Sequence, residues 1–133
     1  MASLTNEQKN DMLNQFGKMV IQNVRDRALK ISMDIVKQKT SNPIKIKQYE
    51  AISNLTNDQQ EAICDLLSET VTDVIYRFLE MFEENSKDVQ LLISNKEGSY
   101  DLTEISEKMG SEIACYNDEG WIQKFSKIGR FVL

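Results

Sequence analysis

A chain of 133 residues with 41% apolar and 28% charged side chains is long enough for one domain with a core of its own, and too apolar to be a disordered segment. One proline and five glycines leave few breakers, which favours long helices over many short strands. The net charge of −5 is unevenly spread. Residues 1–55 hold nine Lys/Arg against five Asp/Glu (+4), residues 56–119 four against sixteen (−12), and residues 120–133 three against none (+3). That polarity points to a basic protein partner for the middle segment and away from nucleic acid there. Packing of oppositely charged segments within one solvated surface is the competing explanation.

There is no histidine, which removes the usual general base near neutral pH and every Ser-His or Cys-His nucleophile pair. Two cysteines, Cys64 and Cys115, are too few for the ordinary structural zinc sets. No Glu-x-x-His, phosphate loop, dinucleotide fingerprint or Ser-x-x-Lys occurs. The expectation is therefore a non-enzymatic protein with no catalytic residue, cofactor or metal. No run nears the roughly 18 apolar residues of a membrane span. The polar start Met1–Glu7 lacks a signal-peptide pattern, so no membrane and a cytoplasmic location are expected.

The elements read as follows. Thr5-Asn6-Glu7-Gln8 is a capping box. It opens an apolar stripe at Leu13, Phe16, Val20, Val24, Ala28, Ile31 and Ile35, spaced as one face of a helix from about Asn6 to Lys39, within 1–40. Gly17 lies inside this helix, where a close neighbour would explain it. Met12, Met19, Leu29 and Met33 fall off the stripe and suit a second layer or a homodimer interface. Asn42-Pro43 starts a short element over 43–54, helical by its cap although Ile44-Lys45-Ile46-Lys47 alternates like a strand. Thr56-Asn57-Asp58-Gln59 is a second capping box, for a central helix over 57–84 (56–85 with its caps). Ile63, Leu67, Val71, Val74, Ile75, Phe78, Leu79 and Phe82 cover an arc of about 160°, as on a helix touched from two sides.

Val89–Ile93, the turn Asn95–Gly98 and the return through Leu102 suggest a hairpin over 88–102. A third helix over 103–116, with Ile105, Met109, Ile113 and Tyr116 inward, the turn Asn117–Gly120 and a terminal segment from Trp121 complete the C-terminal region 103–133. The expected fold is mainly α with a minor β part: a long antiparallel helix pair, a small hairpin and short C-terminal helices.

Carboxylates are the one rich resource. Asp65, Glu69 and Asp73 are spaced by four, and Glu80 and Glu84 continue the same face, with Tyr76 among them. This face is the candidate partner-binding surface, with Tyr76 as anchor. A magnesium site is the alternative use of such acids, and a plain solvated face the simplest. Trp121 is the remaining candidate, as an interface hot spot or as the residue that closes the core.

Several short stretches carry a family resemblance: Leu55-Thr56, Asp65-Leu66-Leu67, Asp73-Val74-Ile75, Phe78-Leu79-Glu80, Glu104-Ile105-Ser106, Asp118-Glu119-Gly120-Trp121-Ile122 and Phe125-Ser126-Lys127. Over about residues 55–127 the chain resembles a group of small bacterial proteins of unknown function. In size and acidity these are similar to the immunity proteins that neutralise polymorphic toxins. The resemblance implies a toxin-neutralising role and supplies no catalytic residues. A homo-oligomeric structural or regulatory protein is the second expectation, and a carboxylate-based divalent-metal protein the third.

Overall fold

The computed structural model describes residues 4–106, 108–113 and 120–128. The fold is mainly α with one two-stranded hairpin. Its frame is a pair of long helical rods. The first opens with the expected capping box, in which Thr5 Oγ1 accepts from the Gln8 amide at 3.1 Å and Gln8 Oε1 accepts from the Thr5 amide at 2.9 Å. α1 (Asn6–Met19) runs through a π-helical segment, Val20–Arg25, into α2 (Asp26–Val36).

The π segment overturns the expected stripe. A π turn holds an extra residue, and here the Asp26 amide donates to the Ile21 carbonyl, five residues back. Everything after it is rotated by one position. The sequence pattern places Val24, Ala28 and Ile35 inward, whereas the buried residues are Arg25, Leu29 and Val36, each one later. Val24 and Ile31 are left 54% and 64% exposed. Of the residues read as off the stripe, Met12 and Leu29 are core and line no self-interface, Met33 is half-buried and Met19 is exposed.

The rod also ends before Lys39. Gln38 takes a left-handed conformation (φ 61°). The Lys39 amide then reaches the Asp34 carbonyl at 2.7 Å and the Gln38 amide the Ile35 carbonyl at 3.2 Å. These two bonds are the Schellman pattern that stops a helix.

Asn42 Oδ1 accepts from the Ile44 amide at 3.0 Å and caps α3 (Pro43–Gln48), which a 3-10 turn, Glu50–Asn54, follows. Helical geometry wins over the local alternation because Pro43 at the first position is already set for it. α4 (Asn57–Glu84) begins at the second capping box, again with both reciprocal bonds formed. It lies antiparallel to the first rod: Lys37 pairs with Glu61 near one end, and Arg25 reaches Ser68 and Thr72 further along. Its buried positions are Gln60, Cys64, Ser68, Ile75, Leu79 and Phe82. Ile75, Leu79 and Phe82 are where the pattern put them, but Val74 (61% exposed) and Phe78 (56%) face outward.

The hairpin lies inside its expected span, with a later first strand and a tighter turn. β1 (Leu92–Asn95) and β2 (Gly98–Asp101) pair with Leu92 opposite Asp101 and Asn95 opposite Gly98. Asn95 therefore ends a strand instead of sitting in the turn, and its Oδ1 accepts from the Glu97 and Gly98 amides. Gly98 holds φ 153°, a conformation L side chains rarely adopt. The expected helix over 103–116 is broken into α5 (Leu102–Ile105) and a 3-10 turn, Met109–Glu112, with Ser106 extended between them. Tyr116, Cys115 and the turn at 117–119 lie outside the described residues. α6 (Trp121–Phe125) closes the described chain.

The core gathers Met12, Leu13 and Ile21 from the first rod with Ile75 and Leu79 from α4. The C-terminal segments add Leu102, Met109, Ile113, Trp121 and Ile122. Gly17 is explained by Trp121: a Cβ there would stand 2.4 Å from the indole ring. Only a residue without one lets the ring lie on the helix backbone.

Candidate functional site

At about 100° per residue, α4 divides into three faces. One packs into the fold, one carries the acids, and the third is apolar. The acidic face is where the sequence placed it. Asp65, Glu69, Asp73 and Glu84 are exposed and Glu80 is half-buried. Asp73 accepts from Arg77 Nε at 3.0 Å, one helical turn on, which holds the Arg77 pKa above its usual value. Both side chains are more than half exposed, so solvent screens the pair and it adds little to stability.

Tyr76 is placed differently from its expected anchor role, and Trp121 takes the core-closing one of its two expected roles. Tyr76 is 38% exposed, but its ring lies against Gly110, where a Cβ would come within 2.9 Å of it. The Tyr76 hydroxyl is bonded to Glu80, and that bond with the carboxylate's charge pushes its pKa up. Glu83, on the same side, accepts from the Gly110 amide at 3.1 Å. The C-terminal half of the acidic face is thus partly covered by the 3-10 turn 109–112. Trp121 is fully buried and meets Phe16 edge-on with ring centroids 5.8 Å apart. It closes the core and offers no surface to a partner. Its Nε1 is buried with no hydrogen-bond partner among the described residues.

The sequence reading missed the most polar part of the interior. Arg25 is fully buried at the end of the π segment. Its Nε donates to Thr72 Oγ1 at 3.1 Å and Nη2 to Ser68 Oγ at 3.1 Å. Nη1 donates to Asp26 Oδ1 at 3.2 Å and to Ser126 Oγ at 3.3 Å. Asp26, itself 7% exposed, accepts from Ser126 Oγ at 2.9 Å and from the Lys127 amide at 2.7 Å. Burial lowers the Arg25 pKa, and Asp26 opposes that shift. The network ties 126–127 to the helix pair. Gln22, donating to the Phe125 carbonyl at 3.0 Å, and Lys124, donating to Asn14 Oδ1 at 2.8 Å, extend the seam. One signal in the sequence pointed to it: Gln60, Cys64, Ser68 and Thr72, spaced by four, form a small polar stripe beside the apolar one.

The C-terminal segments cover one side of the helix pair. They meet the first rod at Asn14, Gln22 and Asp26 and α4 at Tyr76 and Glu83. By helical count Val74 and Phe78 lie on the side of α4 away from Tyr76 and Glu83, and Val24 and Ile31 lie on the side of the first rod away from buried Leu29 and Val36. Each of the four is more than half exposed. Val74 and Phe78 form the open third face of α4.

Among the described residues, no group of three or more acids and cysteines comes together closely enough to hold a metal ion. No helix among them is long and apolar enough to cross a membrane. No protein-family model matches the chain, and neither a curated protein nor a solved structure matches it.

Proposed function

We propose that this chain is a non-enzymatic protein-binding domain whose acidic α4 face meets a basic partner. The observation that carries this reading is the run Asp65, Glu69, Asp73 and Glu84, exposed along one side of a helix anchored in the core on another. A rigid helix presenting like charges steers a basic partner toward it and disfavours acidic ones. The N-terminal part of the face is its more accessible part, since Tyr76, Glu80 and Glu83 turn toward the 109–112 segment. In the toxin-neutralising form of this reading, the partner is the basic surface of a toxin domain, which the acids occupy and so block.

The test is charge reversal on that part. Glu69→Lys with Asp73→Lys should leave helicity and melting nearly unchanged, because both side chains are exposed. The same pair should slow association with the native partner by roughly tenfold and flatten its salt dependence. Association rates measured for wild type and variant against a partner recovered from the native cell decide it. Equal rates remove the acidic face from the binding surface.

A further inference from the structure

The π segment takes in one residue more than an α-helix would, and that residue decides which side chains of α2 face inward. We infer that the segment is a register switch. When the π turn is drawn out into α-helix, α2 turns by one position, Val24, Ala28, Ile31 and Ile35 become its inward face, and the 126–127 segment loses its hold on Asp26. The inference is independent of the acidic-face reading, since Asp65, Glu69 and Asp73 take no part in it.

Three observations lead there. The first is a doubled stripe. Apolar side chains stand at Val24, Ala28, Ile31 and Ile35, and again one position on at Leu29 and Val36. An ordinary amphipathic helix has one such face. The observed register buries Leu29 and Val36 behind Arg25 and leaves Val24 and Ile31 in water. The two registers differ by one residue of α-helix, about 100° of rotation and about 1.5 Å of travel. The second is balance. The observed register fills the core with Leu29 and pairs Arg25, but it holds a guanidinium out of water. The alternative register covers Val24 and Ile31, but it puts Ala28 where Leu29 stood. Each gains what the other gives up, the condition under which two packings of one sequence lie close in free energy.

The third is what lies at either end of α2. Beyond it, residues 37–59 include no buried side chain, so a shift of one residue there displaces nothing from the core. At its start stands the latch. A one-position shift carries Arg25 to the place of Asp26, and Asp26 to the exposed place of Arg27. Ser126 Oγ and the Lys127 amide, which donate to Asp26 at 2.9 and 2.7 Å, then face a cation that accepts no hydrogen bond. Register and hold are therefore linked. A partner that draws 126–127 away favours the α register, and one that presses it down favours the π register.

The experiment is native-state amide hydrogen exchange of the full chain, read at Lys127 by nuclear magnetic resonance. Two variants set the register. Deleting the exposed Asn23 removes the extra residue, so an unbroken α-helix then presents Arg25, Leu29 and Val36 inward. That chain should keep wild-type helicity, and exchange at Lys127 should slow by roughly tenfold as opening by register change is lost. Ala28→Leu with Leu29→Glu favours the other register, where the new leucine points inward and the new glutamate reaches the exposed place of Lys30. That chain should melt cooperatively and exchange at Lys127 roughly tenfold faster than wild type. In a fold with a single register the same glutamate is buried in the core and unfolds the chain, and that loss overturns the inference. An unfolded Asn23 deletion overturns it too, as does Lys127 exchange left unchanged in either variant.

Discussion

Two large side chains, Trp121 and Arg25, are both completely buried, and they are accommodated by opposite means. Trp121 enters where the first rod has no side chain at all, so the match at Gly17 is one of shape. Arg25 enters where α4 offers Ser68 and Thr72 and where Asp26 and Ser126 complete the ring of acceptors, so the match is one of hydrogen bonds. The apolar end tolerates one buried indole N–H without a described partner. The polar site could not tolerate an unmatched guanidinium, since an unpaired buried charge is far more unfavourable than one neutral donor. The difference teaches where this fold is brittle. Loss at the Trp121 end is graded with volume, whereas loss at the Arg25 site strands a charge.

The largest expected effect breaks the polar site. Arg25→Met keeps much of the side-chain length but leaves Asp26 buried beside an apolar neighbour, and should lower unfolding free energy by about 3 kcal/mol or more. Chemical denaturation would read it. Replacing Arg25, Asp26 and Ser68 together by apolar residues of similar volume should recover most of that loss. If the single variant loses less than the triple, the polar match is not what holds this region.

A smaller effect is expected at the other end. Gly17→Ala gains about 1 kcal/mol in helix propensity but drives a methyl into the indole, where overpacking costs about 1–3 kcal/mol. The net should be destabilising by about 1 kcal/mol. In a Trp121→Leu background the same substitution should become neutral or stabilising. A sign that does not change between the two backgrounds would dissolve the shape argument.

The smallest effect lies on the surface between them. Tyr76 has its pKa raised by its bond to Glu80, so in an absorbance titration it should ionise after an ordinary tyrosine, whose pKa is about 10. Glu80→Gln should bring it back down. For the folded state the sign is fixed by the raised value. The contribution is fully present below pH about 10 and is lost as the pH climbs through the folded pKa. A Tyr76 titration that is the same with Gln at position 80 would detach the ring from the acidic face.

The ends of elements were largely legible. Thr5 with Gln8 and Thr56 with Gln59 form the reciprocal bonds their spacing announced, because a capping box is a local arrangement settled within four residues. The extent of α4 from Asn57 to Glu84 was legible for the same reason. The exposed positions of Asp65, Glu69 and Asp73 followed from helical period alone. Helix faces were harder to read. The stripe drawn through Val24, Ala28 and Ile35 assumed 3.6 residues in every turn, and one π segment sufficed to replace it with Arg25, Leu29 and Val36.

The amino-acid order by itself determined a mainly helical chain, two rods with their capped starts and a helix crowded with acids, since period, caps and composition act over a few residues. Tertiary structure alone decided which side of each rod is covered. That choice depends on where the C-terminal segments dock, and they dock where Gly17 admits an indole and where a π turn brings Arg25 to Ser68 and Thr72. Side chains far apart in the chain make that decision together, and no local pattern contains it.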